Sequence, residues 1–71
     1  MKTKIRIKAG RKIKEFRLKH DMTQEGLAEK AGIDYKYLQK IEGKNPPNLK
    51  LETIEKLAKA LRIKPSKLIE F

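Results

Sequence analysis

Apolar residues recur every three or four positions along most of this chain and never form a run longer than two residues. That spacing places side chains on one face of an α-helix, whereas a half-buried strand needs strict alternation. The one alternating stretch, KIRIK, is short and strongly basic. The pattern therefore predicts an all-α domain with helices at about 9–19, 24–31, 35–42, 49–61 and 65–71, preceded by a loose basic arm at 1–8.

Cap and turn residues set these limits. Thr23, Asp34 and Asn48 each carry a side-chain oxygen that can accept a backbone N–H at the start of a helix. Gly32 turns the chain after the second helix, and Gly43 is free to take the left-handed conformation that often ends one. The segment KNPPN that follows cannot continue a helix.

The 71 residues contain no cysteine, one histidine and one serine. One small apolar core must hold the fold, and neither a nucleophilic triad nor a His and Cys metal site can be assembled. We therefore expect no catalysis, metal, cofactor or small-molecule substrate. The apolar runs are far shorter than the ~20 residues that span a bilayer. The N-terminus is charged where a signal peptide is apolar, so we expect a cytoplasmic protein with no membrane association.

Charge is strongly unbalanced, at +10 over the whole chain. Residues 1–20 contain nine basic side chains and one acid, which leaves +8 of that charge in the first third. Such a field favours an anionic partner, nucleic acid above all. The alternative is a general lysine bias that leaves a solvated basic face.

The third predicted helix has two unlike faces. On a helical wheel Leu38 and Ile41 point inward, Lys36 and Lys40 point outward, and tyrosines lie on both flanks. A short helix that buries two side chains and exposes hydrogen-bond donors is suited to contact another surface. The inward face also carries Glu42, a carboxylate that is costly to bury without a partner.

Joined to the helix before it, this segment resembles a known family. The frame TQEGLAEKAGI, then four residues, then LQKIEGK, then LETIEKLAKAL is similar to the phage repressor and Cro type of helix-turn-helix domain, also called the xenobiotic response element family. The resemblance covers nearly the whole chain. It implies a compact five-helix lambda-repressor-like domain over residues 9–71 that binds double-stranded DNA and regulates transcription, most simply as a repressor.

The resemblance also implies which residues contact DNA. The third helix enters the major groove, and the residues that match base-reading positions are Gln24, Tyr35, Lys36 and Lys40. Lysine favours the O6 and N7 acceptors of guanine, and glutamine can pair with adenine. The expected phosphate contacts are Thr23, Tyr37, Lys44, Asn45 and Asn48, with Arg11 and Lys14 adding charge from the first helix. Tyr37 either reaches a phosphate through its hydroxyl or packs its ring over the turn.

In this family an arginine of the first helix often pairs with the glutamate that closes the third, and Arg17 and Glu42 occupy those positions. Such a pair would explain the inward glutamate; the alternative is two independent surface charges. The chain departs from the family pattern at Gly26, where glutamate is usual. It departs again at Asp21 and Arg62, where glycine often ends the first and fourth helices.

One short recognition helix makes few base contacts, so we expect a homodimer, at least on DNA, bound to a palindromic operator. The expected dimer seam is Leu68, Ile69 and Phe71, although these three residues could instead simply close the core. The same fold also serves as an antitoxin-like or bridging adaptor that holds a protein, which is the alternative function. A third possibility, membrane-surface binding by the cationic first helix, lacks a tryptophan anchor.

Overall fold

The computed structural model describes the backbone of residues 2–70 and the side chains of residues 5–70. Within that part of the chain there are four α-helices, one short 3-10 helix and no strand. The helices are α1 at Lys2–Lys19, α2 at Gln24–Ala31, α3 at Tyr35–Ile41 and α4 at Leu51–Leu61, and the 3-10 helix is Pro65–Leu68. The all-α prediction is confirmed, while the expected five-helix count becomes four helices and a 3-10 turn.

One core joins all five elements. Its fully buried large side chains are Ile13, Leu27, Leu38, Ile41, Leu57, Leu61 and Leu68. The second helix packs against both α3 and α4, and the small buried residues Ala28 and Ala58 allow those helices to approach closely. Leu38 and Ile41 of α3 are buried in this core and Tyr37 packs against it, which fixes α3 in place and leaves its outer face free for other contacts.

The prediction of a loose arm at residues 1–8 is wrong for residues 2–8, because α1 begins at Lys2. The helix is anchored by Ala9 and Ile13, which are 3% and 0% exposed. No proline or glycine precedes Ala9, and extending an existing helix by one residue is much easier than starting one. The anchored part of α1 therefore continues back through the basic segment.

The caps of α2 match the sequence pattern, and those of α3 match in part. Thr23 Oγ1 accepts a hydrogen bond from the Gly26 backbone N–H at 2.9 Å, and Gly32 ends α2 in the left-handed region at φ 70°. Asp34 occupies the N-cap position of α3 but makes no side-chain cap hydrogen bond. Thr23 therefore sets the start of α2, and Gly32 sets the turn between α2 and α3.

The ends of α3 and α4 require two corrections. Gly43 is not left-handed; α3 ends at Ile41, and the right-handed Glu42 caps it through backbone bonds to Leu38 and Lys40. Asn48 does not cap α4, which begins two residues later than expected, with Lys50 at its N-cap position. The chain stays extended there because Leu49 packs against the core before the helix starts.

Two residues that stand where glycine is usual do adopt the glycine-like conformation. Asp21 and Arg62 have φ values of 54° and 58°. Arg62 ends α4: its backbone N–H donates to the Lys59 carbonyl at 3.1 Å, and the next N–H, that of Ile63, donates to the Ala58 carbonyl at 3.0 Å. A side chain in this region carries a steric cost that glycine does not.

The last segment is shorter than the helix expected at 65–71. Pro65 lies in the first turn, as predicted, but the 3-10 helix ends at Leu68, whose side chain is fully buried. The tight turn places the Leu68 side chain in the core, and the helix ends there. Phe71 lies outside the described residues.

Candidate nucleic-acid interface

The outward face of α3 carries exposed hydrogen-bond donors, and the opposite face is held in the core. Tyr35, Lys36 and Lys40, three of the four residues expected to read bases, are all exposed. Leu38 and Ile41 on the opposite face are 0% exposed, so α3 cannot rotate without emptying the core. The exposed face therefore has a fixed direction.

The structure brings Arg17 and Glu42 together. Arg17 Nε donates to Glu42 Oε2 at 2.9 Å, and Arg17 Nη2 donates to Glu42 Oε1 at 3.0 Å. The two side chains are 10% and 2% exposed. The remaining end of the guanidinium, Nη1, donates to the Met22 carbonyl at 2.8 Å. A paired carboxylate and arginine fork of this kind fixes α1, the loop before α2 and the end of α3 to each other.

Gln24 joins the same cluster. Its Nε2 donates to Glu42 Oε1 at 3.0 Å, so the glutamate accepts three hydrogen bonds from two residues. The amide keeps its carbonyl oxygen and one N–H for other partners. The structure thus places this expected base-reading residue at the start of α2 with its side chain oriented by Glu42.

A glycine that the sequence analysis missed lies at the same junction. Gly10 of α1 is buried, and a Cβ added there would overlap the Ile41 carbonyl oxygen. Any larger residue would push α1 away from the end of α3. A glycine in the middle of a helical segment is a signal that could have revealed this contact.

Gln39 of α3, to which the sequence analysis assigned no role, is also exposed. Its Nε2 donates to the Tyr35 hydroxyl at 3.1 Å, across one helical turn. The spacing of four residues brings such side chains together on a helix surface and could have indicated the pair. The bond holds two exposed polar side chains as one unit on the outward face.

Three of the expected phosphate-binding residues surround one groove. Arg11 and Lys14 of α1 and Lys44 after α3 line it together with Ile7, Gly43 and Glu42, whose carboxylate is paired with Arg17. Three cations from two separate segments therefore meet at the C-terminal end of α3. Such an arrangement can hold one or two phosphate groups by charge.

The other expected phosphate contacts are dispersed. Thr23 is exposed, but its hydroxyl oxygen caps α2. Tyr37 is half-buried and packs against the core, which favours the packing alternative for its ring. Asn45 is exposed in the loop after α3. Asn48 is also exposed, but it lines a different groove from the one at Arg11.

The expected dimer seam needs revision. Leu68 is 0% exposed and belongs to the core, so the prediction that it faces a partner is wrong. Ile69 is 47% exposed, and Leu51 and Ile5, which the sequence analysis did not include, are 81% and 61% exposed. Ile54 and Ile69 line two adjoining grooves, one with Ile5 and the other with Leu51. These residues form the apolar patch, which comprises Ile5, Leu49, Leu51, Ile54 and Ile69.

Over residues 2–70, no helix has the length and apolar character needed to cross a membrane. Among the described side chains, no three of the His, Cys, Asp and Glu type are grouped as a metal site would require.

Comparison with known proteins identifies the arrangement. A helix-turn-helix family model matches residues 13–68, which include α2, α3 and most of the core. The control protein C.BamHI of Bacillus amyloliquefaciens is 38% identical over 72 residues, spanning 100% of this chain and 88% of that protein.

Two solved structures share the fold. The restriction-modification controller protein C.AhdI of Aeromonas hydrophila superposes with a TM-score of 0.83 at 36% identity, covering 89% of this chain and 94% of that one. A hypothetical transcription factor from Neisseria, NHTF, superposes with a TM-score of 0.85 at 31% identity, covering 92% of this chain and 74% of that one.

Proposed function

This chain belongs to the Cro/C1-type helix-turn-helix family of DNA-binding transcription regulators, which are not enzymes, and we propose that it is a sequence-specific repressor of this kind. By analogy with the restriction-modification controller protein C.AhdI, its regulated genes are those of a restriction-modification system. It acts in the cytoplasm by occupying an operator and competing with polymerase. The observation that carries the proposal is the cluster of Arg17, Glu42 and Gln24, which fixes a recognition helix with a basic, exposed face.

We propose that α3 lies in the major groove. Lys36 and Lys40 are directed at guanine O6 and N7, and the Tyr35 hydroxyl, oriented by Gln39, reaches a neighbouring base edge. Gln24 uses the carbonyl and N–H that Glu42 leaves unbonded. The DNA-binding domain is residues 9–71, with residues 2–8 as a helical extension of it.

The phosphate contacts set the register. Arg11, Lys14 and Lys44 bind one strand through their shared groove, and the backbone amides at the start of α2, beside Thr23, bind the other strand. Asn45, Asn48 and Tyr37 remain candidates for further contacts. These interactions do not depend on the base sequence of the DNA, and they make the binding constant sensitive to salt concentration.

A second copy of the chain covers the apolar patch in this proposal. Leu51, at 81% exposed, and Ile69, at 47% exposed, place two large apolar side chains at adjoining grooves, where a partner could cover both. Pairing two copies about a two-fold axis presents two α3 helices to half-sites about 34 to 36 Å apart on a palindromic operator.

Selection of bound duplexes from a random DNA pool tests the function. The expected result is an enriched palindrome with guanine in each half-site. Enrichment of no sequence would exclude an operator-binding repressor. The alternative, an adaptor on the same fold that holds a protein, would then be the better account of the apolar patch.

A further inference from the structure

A second basic surface lies away from α3. Lys30, Lys56, Lys59 and Arg62 line one groove, together with Ala31 and Ala60. We call this the cationic groove. All four basic residues are exposed, and no carboxylate lines the groove. Within residues 5–70, the side chains of these four make no ion pair or hydrogen bond.

The local backbone does not neutralise this charge. The groove lies at the C-terminal ends of α2 and α4, each of which carries roughly −0.5 elementary charge. Two such ends offset about one of the four positive charges. Roughly three charges therefore remain in one place, and an anion that entered the groove would relieve their mutual repulsion.

The groove lies away from the proposed operator contacts. Of those contacts, Thr23 and Asn48 lie at or near the N-terminal ends of α2 and α4, whereas the groove is at the opposite ends of the same two helices. The 11 residues of α4 extend for about 16 Å. None of the residues that line the groove is among the proposed operator contacts.

We propose that the cationic groove binds the phosphate backbone of a second DNA duplex, so that the protein bridges its operator to another segment of DNA. The inference goes beyond the proposed function and rests on it only for the first duplex. A lysine ammonium is a flexible point charge, so it can contact a phosphate oxygen from many directions. The binding would be independent of sequence, because no base edge is reached.

The lining of the groove favours DNA over an acidic protein. Its only apolar members are Ala31 and Ala60. The buried centres of protein interfaces are enriched in aromatic residues and methionine and depleted in lysine. A surface of four long cations around two alanines has the opposite composition.

A charge-deleted variant, K30A/K56A/K59A/R62G, removes the groove cations. Alanine is well tolerated on a helix surface, and glycine relieves the positive φ of Arg62. The matched control, K12A/K19A/K64A/K67A, removes the same number of charges outside the groove. Circular dichroism and thermal unfolding confirm that each variant folds before it is compared.

The assay immobilises the selected operator, cut to operator length so that no flanking DNA can bend back. Protein is loaded, excess is washed away, and retention of a fluorescent duplex of unrelated sequence is measured. The unmodified chain and the control should retain this duplex, and the groove variant should retain it at least ten-fold less. Four phosphate contacts predict a roughly 100-fold weakening between 50 and 200 mM salt.

The outcomes separate the two proposals. Failure to load on the immobilised operator counts against the repressor function. Normal loading with equal retention of the second duplex by the groove variant and the control overturns the bridging proposal. A third arm offers labelled polyglutamate. If polyglutamate is retained through the groove and DNA is not, the partner is an acidic protein and the DNA assignment is wrong.

Discussion

Arg17 and Glu42 lie 25 positions apart in the sequence and meet through two hydrogen bonds of 2.9 and 3.0 Å. The pair connects α1 to the residue that caps α3. Because Glu42 also accepts a bond from Gln24 at the start of α2, one carboxylate sets the relative positions of three helices. The direction of the recognition helix therefore depends on an ion pair as well as on the core.

A double-mutant cycle on Arg17→Ala and Glu42→Ala should show strong coupling in urea unfolding. Losing one partner of a buried pair costs about 3 to 5 kcal/mol. Arg17→Ala should be the more damaging change, because it leaves a carboxylate that is 2% exposed with only the neutral amide of Gln24 as a partner, whereas Arg17 is 10% exposed and would keep its bond to Met22.

The pair Lys67 and Glu70 is the control for that cycle. It is 54% and 67% exposed with a separation of 3.7 Å, so its coupling should lie within about 0 to 1 kcal/mol. Strict additivity of Arg17→Ala and Glu42→Ala would mean that the two side chains do not meet in solution.

Gly10→Ala should destabilise the protein by about 1 to 3 kcal/mol, the usual cost of overpacking, although alanine favours a helix more than glycine does. The added Cβ overlaps a backbone oxygen of Ile41, which cannot move as a side chain could. Thermal unfolding measures the effect, with Glu15→Ala at an exposed site of the same helix as the control. An increase in melting temperature for Gly10→Ala would contradict the tight contact of α1 with α3.

Glycine substitutions at the two left-handed positions should stabilise the fold by different amounts. Arg62→Gly should gain up to about 1 kcal/mol by removing a steric cost at φ 58°. Asp21→Gly should gain less, because aspartate tolerates this region better than arginine. Denaturant midpoints compare the two, and a larger gain for Asp21→Gly would reverse the expected order.

Leu51→Lys should shift the protein toward one chain per full palindromic operator, because it places a charge in the apolar patch. Leu18→Lys is the matched control, since Leu18 is 56% exposed and lies outside that patch. Sedimentation with the selected duplex measures the stoichiometry. An unchanged two-chain complex for Leu51→Lys would move the dimer seam elsewhere.

The sequence was sufficient to predict the all-α class and most of the contacts that hold α3 against α1 and α2. The apolar period predicts α2 and α3 closely, and the inward position of Glu42 indicates that it needs a partner. These features depend on residues near in sequence or on one charged pair. Local rules determine them, and tertiary packing leaves them unchanged.

Packing accounts for what the sequence did not predict. Leu49 keeps the chain extended against the core, which delays the start of α4 and removes Asn48 from the cap. Leu68 enters the core, so the proposed seam uses Leu51 and Ile5 instead, and the exposure of these two residues depends on the positions of α1 and α4. The close contact of Gly10 with Ile41 and the grouping of cations in the cationic groove likewise involve helices that meet only in the folded chain.

The claim that α3 reads DNA bases is tested most directly by equilibrium binding of single variants to the selected operator and to a scrambled duplex. The unmodified chain should prefer the operator by at least about 1,000-fold. Lys36→Ala or Lys40→Ala should each lose about 1 to 3 kcal/mol on the operator alone and relax the preference at one base pair, whereas Lys44→Ala should weaken both duplexes alike. Equal losses on both duplexes for all three variants would contradict base reading by α3.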